Sequence, residues 1–327
     1  MADVLAIEDL HKHFGSGPHA VRANAGVTMR VGAGEVVGLL GHNGAGKTTL
    51  VNQVVGLLCP TSGSIRLDGV DAVANPALAR RLTNVQAQAN VPITGRTPLT
   101  AIDLVGRIRG GRPRQTRRRA EELIDALDLG EWARTPAQKI SGGVARLTAF
   151  AMCAVVPGRL VILDEPTSGL DPLQAEVFVD AVRDAAGQGR TVLMSSHIMA
   201  EVDRLCDSVT IIKDGRTVES GRLEELRHLR ASRITCVLPP EQSPPPGRHR
   251  WSWWPHRERD LQRSPSKDPT RVALPQPDAD GRLSVSVPTD RVPATLQQLL
   301  AAGAQEITCT PASLDEVFLQ HYEAAAR

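Results

Sequence analysis

Residues 41–49 constrain the fold more than any other stretch of this chain. They read Gly-His-Asn-Gly-Ala-Gly-Lys-Thr-Thr and match the pattern G-x-x-x-x-G-K-[ST] of a phosphate-binding loop. The preceding run, Val36 to Leu40, is apolar and typical of a buried strand, and Leu50, Val54 and Leu57 follow at nearly helical spacing. A strand, a glycine turn and a helix start are the setting that this motif needs. We therefore predict a nucleoside triphosphate site here rather than a chance glycine turn.

The loop supplies the chemistry that a triphosphate requires. Its glycines allow backbone N–H groups to approach an anion closely, and the following helix start adds unpaired N–H groups and a positive dipole end. Lys47 is placed to reach the β- and γ-phosphates, and the hydroxyl of Thr48 suits Mg²⁺. The predicted phosphate-binding residues are Gly41, Asn43, Gly44, Gly46, Lys47, Thr48 and Thr49.

Length and composition limit the class of protein. A chain of 327 residues suggests about two domains. A net charge of +2 gives no strong positive field that would indicate binding to nucleic acid or to a membrane surface. No apolar run approaches the ~20 residues that cross a bilayer. The first residues lack the pattern of a signal peptide, and five scattered cysteines indicate a reducing compartment. The sequence therefore predicts a cytoplasmic protein, unless a partner holds it at a membrane.

Strands and helices alternate through residues 1–230, which predicts an α/β domain. Strands are expected at 4–14, 27–31, 35–40, 64–67, 160–163, 191–195, 208–213 and 216–219, and a helix at 172–188. Residues 77–156 look mostly helical, with Ile102, Val105 and Ile108 spaced for one helix face, and we place a helical subdomain at about 89–157. Asp164 and Glu165 follow the buried strand at 160–163, at the strand end where open α/β sheets bind ligands.

Two arginine-rich stretches carry open alternatives. Residues 112–119 hold a basic run that can contact phosphates or acidic lipids, but the spacing of Arg118 and Glu122 favours a solvated helix face. Residues 239–280 interleave many prolines with arginines and with Trp251, Trp253 and Trp254. Arg and Trp together can bind membranes or bases, yet the prolines forbid an amphipathic helix. We interpret this stretch as an insertion in a small α+β domain at 231–327.

The pattern of that domain predicts its elements on either side of the insertion. Apolar residues alternate at 234–238 and at 283–287, which predicts two half-buried strands. A helix is expected at 292–300, a short strand at 306–309 and a last helix at 314–318.

A second motif indicates which kind of nucleotide-binding protein this chain resembles. Residues 139–146 read Lys-Ile-Ser-Gly-Gly-Val-Ala-Arg, and serine with two glycines before a helix makes a second anion-binding helix start. Together with residues 160–166, the run Ser168-Gly169-Leu170-Asp171 and His197, this stretch resembles the nucleotide-binding subunit of an ABC transporter. The resemblance covers residues 4 to about 230 and implies a P-loop ATPase core with a helical subdomain.

The resemblance also implies roles for single residues. Phe14 matches the aromatic residue that stacks on adenine, although by itself it is equally a core residue. Gln88 matches the glutamine that contacts Mg²⁺ and senses the membrane partner, with Gln86 as the open alternative. Asp164 matches the Mg²⁺-binding carboxylate and Glu165 the general base. His197 matches the residue that contacts the γ-phosphate, although a histidine considered by itself is more often structural.

The same resemblance implies a dimer. We call Ser141, Gly142 and Gly143 the signature segment. In the family this segment closes over the γ-phosphate of ATP held by a second copy, and Asp171 would lie at the seam between the two copies. The family usually has glutamine after this segment, and Val144 stands there in this chain. We expect the clamp on the γ-phosphate to persist while other seam contacts weaken, which predicts a slow or partner-dependent ATPase.

The end of the chain refines the expected function. Residues 311–319 resemble the closing segment of ATP-binding subunits of multidrug and antibiotic exporters, whose permease is a separate chain. The resemblance therefore implies an ATP- and Mg²⁺-dependent homodimer, peripheral on the inner face of the cell membrane. The alternative is a soluble ABC-type ATPase acting on ribosomes or DNA, which a single phosphate-binding loop and no long heptad run disfavour. A non-hydrolysing regulatory module is disfavoured because the catalytic residue types are all present.

Overall fold

A computed structural model describes residues 3–17, 20–88, 95–228, 232–238, 274, 278 and 281–310. The chain divides into two compact units between Leu223 and Glu224, a little before the boundary expected at residue 230. The first unit holds strands β1 (Asp3–Phe14), β2 (Val21–Gly32), β3 (Val36–Leu40), β4 (Ser62–Leu67), β5 (Val70–Asp71), β6 (Thr83–Gln86), β7 (Leu160–Asp164), β8 (Thr191–Ser196), β9 (Ser208–Lys213) and β10 (Arg216–Arg222).

The helices of the first unit are α1 (Lys47–Val54), α2 (Pro76–Leu82), α3 (Pro98–Ile108), α4 (Pro113–Ala126), α5 (Gly142–Ala154), α6 (Pro172–Gly187) and α7 (Met199–Leu205). A short helix, α8 (Leu223–His228), spans the division between the units. Mixed strands and helices confirm the predicted α/β class. No helix in the described ranges combines the length and the apolar character that a bilayer crossing needs.

The central sheet of the first unit has the strand order β10-β9-β3-β8-β7-β6. Strands β9, β3, β8, β7 and β6 run parallel to one another, and β10 pairs antiparallel at one edge. The carboxyl ends of β3, β8 and β7 therefore lie side by side at one edge of the sheet. Open α/β sheets bind their ligands at this edge, and the phosphate-binding loop, His197 and Asp164 all lie there in this chain.

A second, antiparallel sheet with the order β2-β1-β4-β5 shares a hydrophobic core with the central sheet. Leu5 and Ile7 of β1, Leu39 of β3 and Leu50 of α1 all belong to this core and have no exposed surface. Burial of each such side chain stabilises the fold by about 1.5–3 kcal/mol. The loop before α1 is thus anchored to the core on both sides.

Residues 77–156 are mostly helical, as predicted, but they include the strand β6, which was not expected. Its sequence, Thr-Asn-Val-Gln, contains one apolar residue, so neither a buried-strand nor an alternating pattern is visible. The polar side chains are buried because neighbouring backbone accepts their hydrogen bonds: Thr83 donates to the carbonyl of Ala79 and Asn84 to that of Val156, at 2.8 Å each. Tertiary hydrogen bonding therefore outweighs strand propensity here.

Several apolar positions also differ from expectation. Helix α1 ends at Val54, so Leu57, whose spacing predicts that the helix continues, lies beyond it and is 69% exposed. Ile108 closes the predicted apolar face of α3 but is 74% exposed at the last residue of the helix. The basic run of α4 behaves as predicted, because Arg117 pairs with Glu121 and Arg118 with Glu122 on the exposed face.

The second unit is a small α+β arrangement. Strands β11 (Ser232–Val237), β12 (Arg282–Val287) and β13 (Gln305–Thr310) form an antiparallel sheet of order β12-β11-β13, with helix α9 (Val292–Ala301) between β12 and β13 in sequence. Its core contains Ile234, Cys236, Leu283 and Leu299, which confirms the predicted alternation. Leu300 lies within α9, as the predicted helix requires, and is 63% exposed. Residues 311–327, where a last helix was predicted, and nearly all of the insertion 239–280 lie outside the described residues.

Candidate functional site

A cavity of about 310 Å³ opens at the carboxyl edge of the central sheet. Three stretches that are distant in sequence bring their residues to it: the loop after β3 with the first turn of α1, the segment after β6 and the residue that follows β7. The residues that line it are Asn43, Gly44, Gly46, Lys47, Thr48, Gln88 and Glu165. All seven were predicted as site residues from the sequence.

Two glycines of the loop adopt backbone conformations that other residues avoid. Gly44 has a φ of 87° and Gly46, the N-cap of α1, a φ of 102°. A Cβ on Gly46 would also collide with the backbone carbonyl of Ala23. Gly41, at the start of the loop, is buried, and a Cβ on it would lie 2.6 Å from the carbonyl oxygen of Ile212. The loop thus depends on glycine both for its φ angles and for close backbone packing.

Lys47 is the cation of the cavity. Its ammonium donates hydrogen bonds to the carbonyl oxygens of Gly41 at 2.6 Å and His42 at 3.2 Å, so the side chain folds back along the loop. Burial lowers the pKa of Lys47, while the carboxylates of Glu165 and Asp164 act to raise it. A partly desolvated ammonium beside backbone N–H groups makes a strong phosphate-binding centre.

Asp164 ends β7 beneath the cavity and is almost fully buried. The hydroxyl of Thr48 donates to one of its carboxylate oxygens at 3.3 Å, and the hydroxyl of Ser195 donates to the other. Ser195, on the neighbouring strand β8, also accepts a hydrogen bond from the backbone N–H of Glu165 at 3.1 Å. One serine therefore orients the buried carboxylate and the residue that follows it.

Glu165 lies at the centre of the site in a left-handed backbone conformation, with φ 47°. Such a conformation is strained for a residue other than glycine and recurs at functional sites. One carboxylate oxygen accepts a hydrogen bond from the side-chain amide of Gln88 at 2.8 Å, and the other lies 3.2 Å from Nδ1 of His197. The carboxylate is only 11% exposed, whereas the histidine is 47% exposed.

The two candidate glutamines occupy different environments. Gln88 reaches the cavity, whereas Gln86 is buried at the end of β6 and donates to the carbonyl of Arg146 at 3.3 Å. The geometry therefore places Gln88, the glutamine preferred from sequence, beside Glu165. Its contact with Mg²⁺ and with a membrane partner stays a prediction.

Other predicted residues lie away from the cavity lining. Phe14 is 42% exposed at the end of β1, with the ammonium of Lys12 5.2 Å from its ring centroid, so it is not a core residue. Thr49 lies in the first turn of α1. Ser141 and Asp171 are the N-caps of α5 and α6, and each side chain accepts a hydrogen bond from a backbone N–H of its helix. Adenine stacking by Phe14 and binding by the signature segment stay predictions.

The start of α5 is packed against the start of α6. A Cβ on Gly143 would collide with the side chain of Gln174, which also completes the capping box of Asp171. Gly142, by contrast, faces open space. Val144 is buried, and its N–H donates to the hydroxyl of Ser141 at 3.2 Å. A side chain at position 144 therefore packs inward within one chain, and the predicted effect of Val144 on the ATPase rate stays a prediction.

Two residues that organise the site were missed in the sequence. Ser195 is a buried polar residue near the end of β8, and Arg146 is the one charged residue of α5. A polar residue in a buried element is a weak signal of such a role, since buried polar groups need partners. Sequence alone does not show which neighbours supply those partners.

Comparison with known proteins points in one direction. The family model described as ABC transporter matches residues 25–168. The daunorubicin resistance ATP-binding protein DrrA3 of Streptomyces coeruleorubidus is 32% identical over 98% of this chain and 96% of its own length. The daunorubicin/doxorubicin resistance ATP-binding protein DrrA of Streptomyces peucetius is 36% identical over 66% of each chain.

Solved structures agree. A structure described as the ATP-binding subunit of an ABC transporter is 28% identical, with a TM-score of 0.63, over 68% of this chain and 92% of that one. The fold, the phosphate-binding loop with its carboxylates and the full-length similarity to DrrA3 are consistent with one another. The chain belongs to the family of ABC transporter ATP-binding proteins.

Proposed function

We propose that this chain is the ATP-hydrolysing subunit of an exporter and works as a homodimer with a separate membrane permease. The observation that carries the proposal is the joint placement of Lys47, Thr48, Gln88 and Glu165 on one cavity. ATP hydrolysis is the activity that the family implies. Its coupling to transport is supported by the names of the relatives, which are drug-resistance ATP-binding proteins.

Phosphate binding falls to the loop and to Lys47 in this proposal. The backbone N–H groups of residues 43–48 surround the phosphates, and the ammonium of Lys47 exchanges its carbonyl partners for phosphate oxygens. The residues present suit Mg²⁺, because the hydroxyl of Thr48, the carboxylate of Asp164 and the amide of Gln88 offer oxygen ligands. Bound Mg²⁺ would neutralise phosphate charge that develops during the reaction.

Glu165 is the general base of the proposed reaction. Its carboxylate accepts the proton of the attacking water, and the amide of Gln88 and the imidazole of His197 hold the carboxylate in place. His197 is exposed enough to contact the γ-phosphate as well. Positioning and charge stabilisation then supply most of the rate acceleration, as in other phosphoryl transfers.

The active site is completed by a second copy. The signature segment and Asp171 lie outside the cavity of their own chain, which supports a role on the ATP of the partner. Ser141 and the N–H groups at the start of α5 are the donors for that contact, because a helix N-terminus favours anions. ATP would then hold the two copies together until hydrolysis releases them.

The proposed cargo is an anthracycline-like drug or another small hydrophobic molecule, and the proposed location is the inner face of the cell membrane, where a permease binds the dimer. The full-length similarity to DrrA3 supports this assignment over a soluble ATPase that acts on ribosomes or DNA.

Transport in membrane vesicles tests the proposal. We expect inside-out vesicles that contain this chain and the membrane protein encoded by the neighbouring reading frame to accumulate daunorubicin when ATP and Mg²⁺ are added. Vesicles with the Glu165→Gln variant should show the same membrane binding and no ATP-dependent accumulation, because the general base is absent. Accumulation that is equal for both chains, or a wild-type chain that stays off the membrane, would contradict the proposal.

A further inference from the structure

Arg146 is a buried cation directly beneath the catalytic carboxylates. It lies in α5, five positions after Ser141, and is 4% exposed. Within the described part of the chain its guanidinium forms no ion pair and bonds to backbone carbonyls. A buried charge is costly unless its donors are satisfied, so an arginine with this environment has a specific reason to be there.

The carbonyls that Arg146 contacts all belong to the site. The guanidinium donates to the carbonyl oxygen of Gln88 at 2.5 Å and to that of Pro166 at 2.9 Å. It also donates to the carbonyl oxygen of Glu165 and, at 3.4 Å, to that of Asp164. One side chain of α5 therefore joins the segment after β6 to the segment after β7.

This contact acts on the most strained residue of the site. Glu165 has its left-handed φ of 47°, a conformation that costs of order 1–3 kcal/mol and persists only where its surroundings hold it. Its N–H donates to the hydroxyl and the carbonyl of Ser195, both at 3.1 Å, and its own carbonyl is held by Arg146. Ser195 and Arg146 thus hold the peptide groups on either side of the base.

Arginine is the side chain that this geometry requires. A guanidinium offers five N–H groups in a rigid plane, and here they reach four carbonyl oxygens on two segments. Burial lowers the pKa of Arg146, while the carboxylates of Asp164 and Glu165 raise it, and arginine stays protonated. A lysine ammonium has three donors and cannot span both segments.

We propose that Arg146 is a positioning residue that sets Gln88 and Glu165 at their mutual distance and ties both to the helix whose start meets the partner's ATP. The proposal rests on the function proposed above. It assigns to α5 a second task besides presenting the signature segment: the same helix fixes the base and the glutamine of its own chain.

Steady-state ATP hydrolysis by the purified full-length Arg146→Lys variant tests this role. We expect kcat to fall about 10- to 100-fold with little change in KM, because a displacement of about 1 Å at the base has an effect of this size. If Arg146→Lys does not fold, Arg146→Gln, which keeps amide donors without a buried charge, carries the same expectation. Hydrolysis is measured well below the unfolding midpoint of each variant.

Arg190 provides a matched control. It is partly buried and, like Arg146, donates to a backbone carbonyl: that of Ala154 at 3.0 Å, at the end of α5 opposite the site. A purely structural role for Arg146 predicts that Arg146→Lys and Arg190→Lys lower the unfolding midpoint alike and leave kcat alone. We expect only Arg146→Lys to lower kcat.

A double variant separates positioning from general damage. If Arg146 acts by placing Gln88, then Arg146→Lys should cost less in the Gln88→Ala background than in the wild type. Effects that multiply independently, or a wild-type kcat for Arg146→Lys, would overturn the proposal. A wild-type chain that hydrolyses no ATP would instead contradict the proposed function, so the two failures are distinguishable.

Discussion

Replacing Lys47 with methionine should lower the kcat/KM for ATP hydrolysis by about 10³-fold or more, because a cation that stabilises transferring phosphoryl oxygens has effects of this size. Lys47 is the cation that lines the described cavity. Methionine keeps the apolar stem that the buried site accommodates, but it leaves the carbonyls of Gly41 and His42 without their ammonium donor.

Isothermal titration calorimetry separates binding from catalysis in this variant. We expect ATP affinity to fall as well, because the ammonium meets the phosphates in the ground state and in the transition state. Circular dichroism should show the wild-type helix content, since Lys47 begins α1 without supplying its cap. Normal hydrolysis by a folded Lys47→Met protein would contradict the proposal that the cavity binds and hydrolyses ATP.

The Glu165→Gln variant should lose hydrolysis by about 10²- to 10⁴-fold, the range that a general base contributes. Glutamine has nearly the same shape and can still accept the hydrogen bond of Gln88, so the site should keep its geometry. ATP should bind with wild-type affinity and remain uncleaved. Size-exclusion chromatography with light scattering should then find a stable dimer in ATP and a monomer without nucleotide.

Glu201 offers a matched control for the loss of a carboxylate. Its two oxygens accept hydrogen bonds from the hydroxyls of Thr167 and Ser196, close to the same strand ends, yet it does not line the cavity. Glu201→Gln should be less stable and should retain hydrolysis. Equal loss of activity in both variants would point to a structural effect of removing either charge, and Glu165 would lose its assignment as the base.

Much of the site was predictable because its chemistry is local in sequence. The loop at 41–49 requires glycines and a helix start in one continuous stretch, and Asp164 with Glu165 directly follows a recognisable buried strand. The parallel sheet then brings these stretches together, because carboxyl ends of parallel strands share an edge. The choice between Gln88 and Gln86 needed the structure, because the two glutamines are only two residues apart in the same short polar stretch.

The remainder depends on contacts between distant residues. Strand β6 is polar and becomes a strand through hydrogen bonds to α2, α5 and the residues after α5. Ser195 contacts Asp164 only because β8 lies beside β7, and the sequences of the two strands do not predict that they are neighbours. Arg146 likewise acquires its four carbonyl partners from two segments that lie far from α5 in sequence or follow it, and that the fold brings into contact with it.

In the function that we propose, each active site combines the loop of one copy with the signature segment of another. Gly142 allows a clean disruption of the second half, because a side chain there meets open space within one chain. Gly142→Asp also places a carboxylate in the first turn of α5, which stabilises the helix but repels a phosphate. The variant should therefore fold and bind ATP without hydrolysing it.

Mixing the two inactive proteins tests whether the active site is shared between copies. In a dimer of Lys47→Met with Gly142→Asp, one site carries both defects and the other carries an intact loop and an intact signature segment. We predict that ATP hydrolysis, absent from each variant alone, returns when they are mixed and rises with the concentration of the minority partner. If the mixture stays inactive although both chains are folded and form mixed dimers, the site is not shared between copies.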